Sequence, residues 1–312
     1  MRTIACLAAM LLASPALAGP KVIASVVPVH GIAAAVMGDT GTPELLLSGK
    51  LSEHRSTFTA AQVASLGKAD LVFIVGHGLE AKLAQISGSE AVNGKVFVEL
   101  SEAPGIKTLP IREGGAWESH HHGHEEDGHD HGHEDHPEGV LTFDPHVCLD
   151  PENGRAMAAA IAAELSKADP ANAPTYAANA RAFAASLDET ASAITADLAA
   201  VKDKPFIVFH DAYQYFEARF GLNAVGSIAD VSAQAPSAER LKDIRGKLSA
   251  TGAVCVFREP QYDDKVVGTV IEGSTARPGV LDPLGATLQP GAGAYPQLLR
   301  NLASSLKACL AG

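Results

Sequence analysis

The chain has 312 residues, of which 46% are hydrophobic and 19% charged; that is enough for a sizeable core and, by length, for about two domains. A formal charge of −12 removes any general attraction to nucleic-acid backbones and favours cationic partners, metal ions among them. Four cysteines are too few for a disulfide-built scaffold, so a hydrophobic core must carry the fold.

The chain opens Met1-Arg2-Thr3, continues with the apolar run Ile4–Leu12 and reaches Ala16-Leu17-Ala18. One positive charge, a short apolar stretch and a small-x-small ending predict a secretory signal peptide over residues 1–18, cleaved after Ala18. The run is too short to span a bilayer, and Cys6 stands too early for a lipid-attachment box. A soluble exported protein is expected. In an oxidising compartment Cys255, in the apolar run Ala253–Phe257, can join Cys309 near the chain end, 54 positions on. Closing a loop of that length is worth about 4 kcal/mol by chain entropy. Cys148 is then left over.

Strands are predicted at Lys21–Val27, Glu44–Leu47, Leu71–Val75 and Lys95–Leu100, with helices between them at about Ile32–Met37, Thr59–Lys68 and Leu79–Ile86. Alternation of this kind specifies a parallel sheet covered by helices. Asp150-Pro151-Glu152 is a helix start: Asp caps, Pro loses no needed donor, and Glu favours the positive end. That helix should run to about Lys167. A second, from Pro174 to Val201, holds no glycine or further proline. It carries Tyr176, Ala180, Phe183, Leu187, Ile194, Leu198 and Val201 on one stripe. The alternation then resumes with strands at Phe206–Phe209, Ala224–Ile228, Val254–Phe257 and Val280–Leu281. Helices are expected at Tyr213–Phe220, Glu239–Leu248, Lys265–Glu272 and Pro296–Leu310. The fold class is therefore α/β, with two lobes, each a mostly parallel four-stranded sheet flanked by helices, joined by one long rigid helix. The expected boundaries are 19–170 for the first lobe, 174–201 for the linking helix and 202–312 for the second lobe. No internal repeat is evident in the residues.

Between Glu118 and Glu138 lie eight acidic residues and eight histidines (His120, His121, His122, His124, His129, His131, His133 and His136) without one Lys or Arg. So polar a tract cannot offset its ordering entropy, and residues 118–138 are expected to be a disordered insert. Imidazoles with carboxylates suit zinc and neighbouring divalent metals, here as weak auxiliary binding without fixed geometry.

Five histidines lie elsewhere: His30, His54, His77, His146 and His210. In open α/β sheets, sites form beyond the carboxyl ends of the strands. His54 follows the strand ending at Leu47, His210 follows Phe206–Phe209, His146 precedes the Asp150 helix start, and Asp282 follows Leu281. Three imidazoles and a carboxylate would make a shell suited to tetrahedral zinc.

The segments Leu45-Leu46-Leu47 to Ser52-Glu53-His54, Asp144-Pro145-His146 to Asp150-Pro151, Phe209-His210-Asp211-Ala212-Tyr213 and Arg258-Glu259-Pro260-Gln261 resemble the zinc-specific periplasmic solute-binding proteins of ABC importers (ZnuA type, cluster A-I metal receptors). The resemblance spans nearly the whole mature chain and includes a His-rich insert at the same place. It implies a zinc ion held between two lobes by His54, His146 and His210, and transport rather than catalysis. A fourth ligand varies in such proteins. Asp282 is the preferred candidate, with Glu53 or water as alternatives. Manganese-type relatives carry a carboxylate where His210 stands, so an imidazole there shifts the preference toward zinc. The implied partners are a membrane permease with its cytoplasmic ATPase and, further, a periplasmic zinc chaperone. A monomer in the periplasm is expected.

Two departures stand out. Cys148 occupies a position that usually holds a large aromatic, where a thiol fills an apolar gap or reaches metal. His77 stands where proline is common. Enzyme readings are weaker. Gly76-His77-Gly78-Leu79-Glu80-Ala81 imitates a dinucleotide fingerprint but follows the third strand rather than the first. No G-x-S-x-G elbow occurs. An exported zinc-dependent hydrolase is the alternative, distinguished by an open coordination position.

Overall fold

The computed structural model describes residues 19–49, 51–54, 57–114, 116–117 and 141–312. The expected signal peptide and His-rich insert lie outside the described residues. Strands β1 (Val22–Ala24), β2 (Glu44–Leu45), β3 (Leu71–Ile74) and β4 (Val96–Glu99) form one parallel sheet in the order β2-β1-β3-β4. Strands β5 (Phe206–His210), β6 (Ala224–Ala229), β7 (Cys255–Arg258) and β8 (Arg277–Val280) form a second parallel sheet in the order β6-β5-β7-β8. The two sheets thus repeat one topology that the residues do not repeat.

Most predicted elements are present, and the differences have local causes. The first strand stops early because Pro28 sits in the first turn of α1 (Val27–Met37), where its fixed φ suits a helix. Helix α2 (Ala60–Leu66) begins with a capping box between Thr59 and Gln62, and α3 (Ala81–Ser87) follows β3. Strand β8 begins earlier than expected, at Arg277-Pro278-Gly279. An edge strand tolerates proline, and a Cβ on Gly279 would lie 2.4 Å from the Phe257 ring, so only glycine fits there.

Helix α4 (Pro151–Ala168) starts at Asp150, whose side chain accepts a hydrogen bond from the Glu152 N–H at 2.9 Å. Helix α5 (Ala173–Leu198) has 26 residues and a length of about 39 Å at 1.5 Å per residue. Its buried stripe is the predicted one from Tyr176 to Leu198, with Thr190 filling the seven-residue gap between Leu187 and Ile194, while Val201, expected at its end, lies past the helix. It packs against α1, α4, α6 (Gln214–Phe220) and α9 (Ala294–Ala311). Helices α7 (Ala238–Thr251) and α8 (Lys265–Ile271) complete the second half.

One continuous core joins both sheets through these helices. At its centre Tyr295 of α9 is fully buried. A Cβ at Gly31 or Gly154 would lie 2.8 Å from its backbone nitrogen or 2.4 Å from its hydroxyl, so α1 and α4 approach it only through glycine. The Tyr295 hydroxyl donates to the carbonyl oxygen of Cys148 at 2.8 Å, fixing the turn that leads into α4. The Cys255–Cys309 disulfide is formed, with Cα atoms 6.2 Å apart, and fastens α9 to β7.

Candidate metal centre

Each histidine of the centre is set by the element beside it. The chain after β2 keeps pairing with β1 through Leu46 and Leu47, then turns to bring Glu53 and His54 over the strand ends. His146 stands before a 3-10 turn (Val147–Leu149) and the capped start of α4. Its backbone N–H and its ring Nδ1 both lie 2.9 Å from Asp144 Oδ1. Tyr215 holds Asp144 in turn, donating its hydroxyl to the Asp144 carbonyl at 2.7 Å. His210 is the last residue of β5, one position further into the strand than predicted, and its Nδ1 lies 2.7 Å from Glu259 Oε2. The Tyr213 hydroxyl donates to the other Glu259 oxygen at 3.0 Å.

These side chains converge. Donor atoms of Glu53, His54, His146 and His210 all lie within 4.8 Å of one another. The Nε2 atoms of His146 and His210 are 3.3 Å apart; Glu53 Oε1 is 3.7 Å from His54 Nε2 and 4.0 Å from His146 Nε2. A tetrahedral zinc ion with bonds of about 2.0–2.1 Å separates its ligands by about 3.3–3.4 Å. With Nδ1–H donated to Asp144 and Glu259, the two Nε2 atoms turn lone pairs toward each other, an arrangement a cation or a proton between them relieves. Glu53 Oε1 is buried and has no hydrogen-bond donor among the described residues, which leaves it available for a metal.

The electrostatics suit a cation. Burial raises Glu53 to about 7, and burial likewise raises Asp144 to about 7 against the pull of the His146 N–H and Arg112. Burial lowers His146 well below the ordinary range, and the nearby His210 adds to this. For His210, burial pulls downward, but the Glu259 charge and hydrogen bond outweigh it and lift the group to about 9. Protons and a metal therefore compete for this cluster.

Asp282, the preferred fourth candidate, lies outside the cluster of donor atoms. Its Oδ1 accepts from Gln261 Nε2 at 3.1 Å and from the Leu284 and Gly285 N–H groups at 3.2 and 2.9 Å. Its Oδ2 accepts from the Ala286 N–H at 2.6 Å. It is a turn-forming carboxylate, and Glu53 stands in the cluster instead. Cys148 is a buried free thiol pushed up by burial and lies outside the cluster. His30 is buried on α1 with Nε2 3.0 Å from the Pro43 carbonyl, and His77 is exposed and pairs with Glu99 at 2.5 Å. The glycine turn that imitates a dinucleotide fingerprint is already filled, because Glu80 accepts the Val75 and Gly76 N–H groups that a phosphate would need.

Sequence reasoning did not assign Asp144 and Glu259, although both lie in the quoted motifs. The available signal was position: Asp144 is two residues before His146, and Glu259 directly follows β7, the strand beside β5.

A family model described as "Zinc-uptake complex component A periplasmic" matches residues 22–309. The chain is 44% identical to the high-affinity zinc uptake system protein ZnuA of Brucella abortus, over 94% of this chain and 93% of that protein. It is 39% identical to the protein of the same description from Paracoccus denitrificans, over 93% and 92%. In fold it is similar to the periplasmic zinc binding protein TroA from Treponema pallidum, with a TM-score of 0.77, 20% identity and coverage of 94% of this chain and 99% of that one. None of these descriptions is of an enzyme, and the hydrolase alternative finds no support among them. With almost its whole length matched, the chain belongs to the ZnuA family of periplasmic zinc-uptake complex components.

Proposed function

We propose that this protein is an extracytoplasmic receptor that captures Zn²⁺ in the crevice between its two sheets and delivers it to an ABC-type zinc importer. The observation that carries this reading is the convergence of Glu53, His54, His146 and His210, all within 4.8 Å, drawn from two loops of the first half and the end of β5 in the second. Three imidazoles and one carboxylate form a donor set suited to tetrahedral zinc. Four protein ligands close the shell, which favours carriage over hydrolysis. Asp144 and Glu259 orient the rings of His146 and His210 from behind and strengthen them as ligands.

Ligation from both halves favours a closed arrangement, and the long α5 keeps the closing movement small. The chain acts as a monomer in the periplasm after cleavage behind Ala18. It docks on a membrane permease driven by a cytoplasmic ATPase, and a periplasmic zinc chaperone is a further partner. The histidines from His120 to His136 collect metal weakly ahead of the tight site. The lobe boundaries that fit this reading are 19–170 and 202–312, joined through 174–201.

Titration calorimetry with counted metal tests the proposal. Deleting His120–His136 should remove the weak equivalents and leave one tight zinc. His54→Ala, His146→Ala and His210→Ala should each weaken that site by well over the ~10-fold expected when only a supporting residue is lost. A tight site intact in the triple variant refutes the assignment. The same titration with manganese, cadmium and copper reads the selectivity.

A further inference from the structure

Among the described residues, two of the ties between the halves differ in strength. On one side the segment before the insert crosses to the second half. Arg112 pairs with Asp211, its Nε lying 3.1 Å from Oδ2, and its Nη1 lies 2.6 Å from Glu217 Oε2. Both carboxylates are buried. The guanidinium also lies 3.4 Å over the Trp117 ring. The Ala116 carbonyl accepts from Arg240 Nη2 at 2.6 Å, and the Leu109 N–H donates to the Tyr215 hydroxyl at 2.9 Å. Parting a buried guanidinium from two carboxylates strands their charges and is strongly opposed.

On the other side, the Ser52 and Tyr262 hydroxyls meet at 3.0 Å across 210 residues of sequence. This is a neutral pair, far weaker than the Arg112 clasp. Ser52 directly precedes Glu53 and His54. Tyr262 stacks on Phe209 with ring centroids 4.6 Å apart, and its centroid lies 6.0 Å from that of His210. The loop that supplies two of the four donors is thus bonded to a tyrosine rigidly seated beside a third donor.

We propose that the Ser52–Tyr262 hydroxyl pair is the latch on the Leu51–His54 loop, and that Tyr262 is a positioning residue for metal retention. The Arg112 side stays joined as a pivot, and zinc leaves when the loop parts from Tyr262 and takes Glu53 and His54 with it. This rests on the zinc-binding reading above. The latch acts on the rate of release, because neither hydroxyl belongs to the donor cluster.

The test is zinc release into excess chelator, followed by stopped flow, in protein lacking His120–His136. Tyr262→Phe keeps the ring on Phe209 and removes the hydroxyl; Ser52→Ala removes its partner from the other half. Each should speed release about two- to tenfold, the range of one neutral hydrogen bond. The double variant should release zinc more slowly than the product of the two single effects, because both delete one shared bond. Ser52→Thr, which keeps a hydroxyl, should stay within about twofold of the parent. Unchanged release in the single variants, or effects that multiply in the double variant, overturns the latch. Tight zinc is counted in the parent first: its absence refutes the binding reading, a failure distinct from unchanged rates in a parent that binds.

Discussion

Replacing Glu259 by Gln separates the charge behind His210 from its geometry. Glu259 is buried, with one oxygen 2.7 Å from His210 Nδ1 and the other accepting from Tyr213 at 3.0 Å. Gln can keep its carbonyl on Nδ1 and turn its amide toward Tyr213, whose hydroxyl can accept. Among the described residues its carboxylate has one further hydrogen bond, from the His210 N–H, already long at 3.4 Å. What is lost is the negative charge. A carboxylate behind a metal-binding imidazole is worth about 10- to 100-fold in metal affinity, or about 1.4–2.7 kcal/mol. The same charge lifts His210 to about 9, so below that pH the parent must expel a proton to take zinc, and at pH 7 this costs it about 100-fold. Glu259→Gln removes both the gain and the handicap. Its deficit in zinc affinity should therefore be about 10- to 100-fold near pH 9 and shrink toward pH 7. Competition against a chelator of known affinity, in protein lacking the insert, reads the deficit. Calorimetry in buffers of different ionisation enthalpy should show about one proton fewer released by the variant at pH 7.5. A deficit that stays constant or grows as pH falls refutes the reasoning.

In the parent, apparent zinc affinity should rise about tenfold per pH unit from 7 to 9 as His210 loses its proton, and more steeply below 7, where Glu53, raised to about 7, is also protonated. A flat profile from pH 6 to 9 contradicts this. The metal-free chain should move the opposite way: the raised His210 group adds stability that is complete below its ordinary value near 6.5 and is lost as pH climbs through about 9, as urea melts at stepped pH would record. Asp282→Ala should leave zinc affinity within about threefold while lowering stability by about 1–3 kcal/mol through its stranded N–H groups, whereas Glu53→Gln should weaken zinc well over tenfold; titration of both variants ranks the two carboxylates. Cys309→Ser should cost about 4 kcal/mol in denaturant unfolding without removing the tight zinc equivalent.

The repeated α/β plan was legible because strand residues, caps and the α5 stripe each speak locally. Asp150-Pro151 announces α4, and Tyr176 through Leu198 announces the long helix. The edge strand β8 was harder, since Pro278 and Gly279 read as breakers until the neighbouring Phe257 ring explains the glycine. At the centre, His54, His146 and His210 could be chosen by their place at strand and helix ends. Choosing between Asp282 and Glu53 could not be done that way, because both follow strands. The choice depends on which carboxylate already has donors, and Asp282 is occupied by the N–H groups of its own turn. The Arg112 clasp was equally invisible: it joins positions 99 and 105 residues apart, and no local pattern marks such a pair.

The central claim is that one zinc ion sits among Glu53, His54, His146 and His210. Anomalous diffraction at the zinc edge, from crystals of the zinc-loaded protein lacking His120–His136, tests it most directly. The account predicts a single strong peak about 2.0–2.2 Å from the three Nε2 atoms and a Glu53 oxygen. A peak ligated by Asp282 in place of Glu53 would correct the fourth ligand, and a zinc ion bound anywhere away from the three imidazoles would contradict the account.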